Sequence, residues 1–402
     1  MRKQRVAFFS EVLVPDYDGA TRTMFQFLDR MDTTAFDYHF FSGIPPEHSI
    51  GHPVTTLPAI TLPFNRTYKM SAPWRNRKSI IHTLDTFKPD VIHIATPSPL
   101  GSFALGYAKR SGLPVITIYH THFVSYMKYY GKGIPVIPTI AENICIRHTR
   151  KFYNRCDQVL VPTEAMIDTL SEIGVERSRM TLWQRGLDNK LFSPQRKDIA
   201  TIRSITKNSK KNILFASRLV WEKNLDVLIQ IYQEMNQRKL PYNLIIAGDG
   251  VARQDLERRM PGAHFLGHQT HESLAMLYAS SDYFVFPSTT ETYGNVIIES
   301  MASGLPCVIA DAGGSGSLVR HGETGMLCDP NDPKDYLNKI QLLEEHPDLR
   351  YRMIEAGLVF TQPLHWDRLA EQYYHYVNTM GSQVNSQVAR RTTTTSAFSI
   401  CH

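Results

Sequence analysis

Two carboxylates, Glu291 and Glu299, bracket a turn in which a Ser/Thr/Glu loop gives way to Gly294 and then to an apolar helical pattern. At 1.5 Å of rise per residue they stand on the order of 10 Å apart. That span matches the distance from a hexose to the ribose of a nucleotide sugar, and each carboxylate can accept hydrogen bonds from a pair of hydroxyls. The backbone N–H groups of Gly294, Asn295 and Val296 fall in the first helical turn, where no partner within the helix reaches them, so they can hold a phosphate or a sugar hydroxyl. Tyr293 immediately precedes the glycine and joins this donor-side group. An isolated glutamate pair would ordinarily be a solvated helix start and a surface helix residue. Earlier in the chain, Arg218 and Lys223 follow the strand-like N-I-L-F-A and lead into a helical pattern, and His120 closes the strand-like P-V-I-T-I-Y-H.

These residues need elements to position them, and the chain supplies an alternation of short β-branched or aromatic runs with helical periods, the pattern of parallel strands joined by crossover helices. In the first half, strands are expected at 5–10, 38–42, 91–95, 114–119, 158–162 and 180–183, with helices over 20–31 and around 80–87. In the second, strands at 212–216, 242–247, 264–266, 283–287 and 307–310 alternate with helices at 225–235, 251–260, 273–280 and 295–303. This implies an α/β protein of two doubly wound, Rossmann-like domains, with ligand binding beyond the strand carboxyl ends in the cleft between them. The boundaries read as a first domain over 1–192, a polar basic linker over 193–211 and a second domain over 212–362. An aromatic helix over 363–380 would pack back across the cleft, before a disordered, Thr-rich tail over 381–402.

Composition narrows the class. With 42% hydrophobic and 20% charged residues over 402 positions, the chain can bury full cores, which excludes a disordered polymer or a small disulfide scaffold. Five cysteines form no C-x-x-C pair, so neither a zinc knuckle nor a disulfide framework is indicated, and a reducing cytoplasm is expected. A formal charge of +6 suits an anionic ligand or surface but is too mild to indicate nucleic acid. No run approaches the ~18 apolar residues of a membrane span.

The run T-E-T-Y-G-N-V-I-I-E-S-M-A-S-G-L-P closely resembles the E-x7-E signature of retaining family 4 glycosyltransferases, which have the two-domain GT-B architecture. The resemblance extends over roughly 5–377. It implies that Arg218 and Lys223 hold the donor phosphates, as fixed cations must where a pyrophosphate leaves without a metal. It implies further that Gly19 belongs to a glycine loop near the donor phosphate, here reduced to Gly19-Ala20, and that Gly248 belongs to a tight A-G-x-G turn that can touch the base. His120 matches the family histidine near the reacting carbon, and His122 stands where an Asp is common. The amides of the glycine-rich turn D-A-G-G-S-G-S-L over 311–318 can form an anion nest, and Ser317 stands near the place where the family usually has an acidic residue. W-Q-R-G-L-D over 183–188 matches a run in one branch of the family. There, Arg185 and Asp188 either line the acceptor side of the cleft or form a mutual ion pair that pins the turn. Catalytic roles are thus expected of His120, Glu291, Arg218 and Lys223, with no cofactor and no metal. Asp16 and Asp18 spell D-x-D, a metal motif of a different, one-domain glycosyltransferase architecture.

The implied activity is retaining transfer of a hexose from a nucleotide-diphosphate sugar, GDP-mannose slightly ahead of a UDP-sugar, to a lipid-linked or saccharide hydroxyl. Basic residues cluster with aromatics at 74–78, 126–132 and 147–155, so reversible association with an anionic membrane surface is expected beside the alternative of a solvated basic face. Three rivals remain. A GT-B-fold sugar-nucleotide epimerase would act on donor without acceptor, and a non-catalytic sugar-nucleotide-binding subunit would have no need of all four charged residues. An NAD-dependent oxidoreductase needs G-x-G-x-x-G, and Arg253 stands where the third glycine should be.

Overall fold

The computed structural model describes residues 2–15, 17, 19–62, 65–120 and 137–398, with side chains left aside at 61–62, 65–69, 137–141 and 383–398. His122, Asp16, Asp18 and the 126–132 cluster lie outside the described residues.

Apolar runs such as Val6 to Phe9, Leu244 to Ala247 and Tyr283 to Phe286 are buried at every position, as strands covered on both faces must be. Seven of them make one parallel sheet in the spatial order Val54–Thr56, Phe36–Ile44, Gln4–Val12, Val91–Ile94, Val115–Ile118, Gln158–Val161, Met180–Leu182. A second parallel sheet of six strands runs His264–Gly267, Tyr242–Ala247, Lys211–Ala216, Tyr283–Phe286, Cys307–Ala310, Met326–Cys328. In each, the chain winds outward three strands to one side, then returns to build on the other side of its first strand. A crevice opens beyond the carboxyl ends where the winding reverses. In the second sheet that reversal sets the loop after Lys211–Ala216, with Arg218 and Lys223, beside the loop after Tyr283–Phe286, with Glu291. The architecture is GT-B.

The structure adds strands such as Val54–Thr56 and Met326–Cys328 and helices such as Pro99–Ser111 and Pro333–Glu345 to the sequence reading, and three further differences bear on the architecture. An antiparallel pair, Ala59–Leu62 with Asn65–Ser71, forms a two-stranded sheet of its own in the first domain. The segment read as a linker holds a helix, Ile199–Thr206, started by Asp198 accepting from Thr201 N at 3.0 Å and anchored by buried Ile202. The segment read as a disordered tail is helical over its described residues: one helix runs Trp366–Phe398. Once its first turns are fixed by packing, each further residue adds a hydrogen bond without a new nucleation cost.

The packed part of that helix belongs to the first domain. Trp366, Leu369, Ala370, Tyr373, Tyr374 and Val377 share one buried cluster with Val6, Phe8, Phe27, Tyr38 and Trp183. Its tyrosine hydroxyls are paired: Tyr373 hydroxyl with Tyr38 hydroxyl at 3.2 Å and with His93 Nδ1 at 2.8 Å, and Tyr374 hydroxyl donating to Phe27 O at 2.7 Å. No helix among the described residues is long and apolar enough to cross a membrane.

Candidate active site

Lys223 closes a short turn, Trp221–Lys223, and is buried. The next residue, Asn224, adopts φ 57° and donates from Nδ2 to Pro287 O and Pro330 O, each at 3.1 Å, clamping the turn to the loop that carries Glu291. Lys223 Nζ consequently meets Glu291 Oε1, and Ser288 Oγ donates to the same oxygen at 3.3 Å. Burial pushes the Glu291 carboxyl up, but Lys223, Arg218 and Ser288 outweigh it and hold the group below the usual carboxylate range. Arg218 is exposed and its guanidinium forms no hydrogen bond or ion pair among the described residues, so it is available to a ligand.

Gly248 explains how the Arg218 loop is seated. It adopts φ 139°, and a Cβ there would lie 1.8 Å from Ser217 O. The A-G-D-G turn can therefore press against that loop, with Leu219 N donating to Asp249 O at 2.8 Å. Gly294, at φ 93°, opens the helix Asn295–Ala302, and a Cβ would approach Ser315 Cβ to 3.1 Å. The glycine turn braces the site from behind, Gly314 N donating to Glu291 O at 2.7 Å, while Ser317 Oγ donates to Gly314 O at 2.8 Å. Val296 is half-buried against the second core, and Asn295 Oδ1 is buried with no partner among the described residues.

Glu299, one turn into that helix, is buried. Tyr278 hydroxyl donates to its Oε2 at 3.3 Å, and Arg22 of the first domain reaches Oε1 at 3.7 Å. Burial raises the Glu299 carboxyl above its ordinary value, an effect that Arg22 and Tyr278 only partly offset. A raised folded value means this group's stabilising contribution is present below the ordinary carboxylate range and lost as pH rises through the folded value. Glu299→Gln is therefore expected to unfold at a higher temperature than the parent at neutral pH, the gap closing on acidification, while donor affinity falls. A variant no more stable than the parent in a pH series of thermal melts would refute this.

The first domain contributes a second group. His120 is buried at the end of Val115–Ile118, and its carbonyl accepts from Thr292 Oγ1 at 3.0 Å across the cleft. Buried Arg185 donates from Nη1 to Gly19 O at 2.9 Å and Thr23 Oγ1 at 2.8 Å. Its carbonyl accepts from Tyr293 hydroxyl at 3.2 Å. Arg185 and Asp188 do not pair: Asp188 is exposed and accepts from Lys190 N and Leu191 N at 3.0 and 3.1 Å, capping its own turn. Glu291, Lys223, Arg218, Tyr293, His120, Arg185 and Gly19 thus converge on one cleft, and Asp188 is directed to local backbone. Arg22, Thr23, Tyr278, Ser288 and Thr292 also belong to it and were not read from the sequence. Thr292 and Ser288 could have been found as neighbours of Glu291, whereas Arg22 and Tyr278 meet Glu299 only through the fold.

Residues 17–191 match the family described as Glycosyltransferase Family 4, and residues 198–359 match Glycosyl transferases group 1. A GDP-mannose-dependent alpha-mannosyltransferase of Mycolicibacterium smegmatis is 30% identical over 81% of this chain and 84% of its own. The chain belongs to the family 4 glycosyltransferases. An alpha-monoglucosyldiacylglycerol synthase of Streptococcus pneumoniae is 22% identical over 76% of this chain and 70% of its own. The fold is also that of Anabaena HepE, solved in complex with UDP and glucose: TM-score 0.72, 18% identity, covering 94% of this chain and 100% of that one. In this glycosyltransferase the two matched segments fall in the two domains whose facing loops build the cleft.

Proposed function

We propose that this glycosyltransferase moves a hexose, with retention of anomeric configuration, from GDP-mannose, in preference to a UDP-sugar, to a hydroxyl of a lipid-linked or saccharide acceptor. The observation that carries the reading is the buried Lys223–Glu291 pair with exposed Arg218 beside it, at the reversal point of the second sheet and facing His120 of the first domain. Arg218 and Lys223 neutralise the charge that builds on the departing diphosphate, so the reading needs no metal. Glu291 and Glu299 accept from sugar hydroxyls at either end of the donor. The bond from the anomeric carbon to phosphate oxygen breaks, the acceptor oxygen bonds to that carbon on the same face, and the acceptor proton passes to the departing phosphate oxygen.

The donor assignment is supported by the mycobacterial relative's GDP-mannose dependence, and the lipid acceptor by the streptococcal relative's name. Exposed Trp74 lies beside exposed Arg75, Arg77 and Lys78, and exposed Ile144 is followed by exposed Arg147, Arg150 and Lys151. Each such cation adds about 1 kcal/mol of attraction to an anionic leaflet. In a thermal-shift panel of nucleotide sugars, GDP-mannose at a hundred times its Kd is expected to add ~2.7 kcal/mol. EDTA is expected to leave transfer unchanged, and proton NMR of the first product to show the donor's anomeric configuration. Selective stabilisation by a UDP-sugar overturns the donor, an inverted product overturns retention, and failure to float with anionic vesicles at low salt overturns the membrane-surface acceptor.

A further inference from the structure

We infer that Arg185 is a positioning residue for the transfer step: its guanidinium fixes the tautomer of His120, leaving His120 Nε2–H as a hydrogen-bond donor to the sugar–diphosphate substrate. The inference rests on the reading above that His120 lies beside the reacting sugar.

A guanidinium has only donors. Nη1 of Arg185 is committed to Gly19 O and Thr23 Oγ1, and Thr23 Oγ1 itself donates to Gly19 O at 2.8 Å, so the group is held from two sides. Its Nη2 lies 3.5 Å from His120 Nδ1. A donor facing that nitrogen makes it the acceptor, which puts the ring proton on Nε2. A cationic ring would set Nδ1–H against a donor and a second positive charge. Burial, Arg185 and His93 all act against that form and hold the imidazole well below its ordinary value.

The other ring nitrogen is the second observation. His120 Nε2 is buried and has no partner among the described residues, on a side chain only 7% exposed. A buried donor left unfilled carries a desolvation penalty, which an acceptor on a bound ligand removes. The second domain bonds to both residues, Thr292 to the His120 carbonyl and Tyr293 to the Arg185 carbonyl, and these two follow Glu291 directly. The tautomer-fixing contact and the Glu291 turn are therefore braced together. In this arrangement His120 is a neutral donor to developing charge or to a sugar hydroxyl, and it does not act as a base.

The test is nitrogen-15 NMR of the histidine-labelled full-length protein, with the His120 signals assigned as those lost in His120→Ala. The Nε2–H tautomer at neutral pH is expected, and Nδ1–H or imidazolium overturns the inference. Arg185→Met is expected to populate both tautomers and to lower kcat on the order of 10²-fold with donor KM little changed. Loss of activity with the tautomer intact would make Arg185 a structural brace alone and overturn the inference. Should Arg185→Met not fold, Thr23→Val keeps the charge but removes one anchor. It should show a smaller change in the same two readouts, and no change in the tautomer overturns the inference. Full activity in His120→Ala overturns the donor role, and with it the placement of His120 beside the sugar, independently of which nitrogen carries the proton.

Discussion

Lys223→Met is expected to lower kcat by on the order of 10²–10³-fold, the usual effect of removing one fixed donor from developing negative charge. The same substitution strands Glu291. Lys223 is 6% and Glu291 19% exposed at the side chain, and removing one partner of a buried pair costs about 3–5 kcal/mol. Because Glu291 keeps some solvent contact, the lower end of that range is expected in urea unfolding. Glu291 titrates below its ordinary value in the folded protein, so the pair's stabilisation is present above the ordinary carboxylate range and lost as pH falls through the depressed value. Two comparisons separate catalysis from stability. Lys223→Met with Glu291→Gln should recover most of the stability and none of the activity, because the stranded charge is gone but the cation has not returned. Arg218→Met should lose activity at nearly parental stability, because Arg218 is exposed. Parental kcat in Lys223→Met would overturn the placement of the diphosphate, and so would parental transfer in Glu291→Ala.

The largest purely structural effect is expected at Tyr373, fully buried where the C-terminal helix docks on the first domain. Tyr373→Ala removes a large ring from a packed cluster, worth about 3–5 kcal/mol, and leaves Tyr38 hydroxyl and His93 Nδ1 without their partner. Tyr373→Phe keeps the ring and is expected to cost about 1–3 kcal/mol for the unpaired polar groups. His93 adds a pH signature. Burial lowers it from 6.5 to about 3, so its contribution is present above the higher value and lost as pH falls toward the lower one, at about 1.4 kcal/mol per pH unit. In urea unfolding across that window the parent should therefore lose stability relative to His93→Phe on acidification. A Tyr373→Ala loss no larger than the ~0.5 kcal/mol of a surface change would show that the helix is not integral to the first domain.

Much of this protein was legible one segment at a time. Runs such as N-I-L-F-A and C-V-I-A announce buried parallel strands because both faces are covered and every residue is apolar. The E-x7-E turn is equally local: a glycine that must take positive φ, a helix start and two acids at fixed spacing lie within nine consecutive residues. The continuation of the last helix beyond 380 was not legible, because Ser and Thr are poor helix formers and the fixed turns preceding them lie on another domain. Nor was the helix in the apparent linker, whose anchor Ile202 packs into the core of the second domain against residues far along the chain.

The sequence by itself determined the layered α/β organisation, the positions of the candidate acids and cations, and the kind of ligand they suit. Tertiary structure decided which of them meet. Arg22 reaches Glu299, Arg185 gathers Gly19, Thr23 and His120, and Asp188 turns away to its own backbone. Periodicity is a property of neighbours along the chain, whereas the contact of Arg22 with Glu299 and those of Arg185 join residues brought together by sheet order and by the meeting of the two domains. No local spacing encodes them.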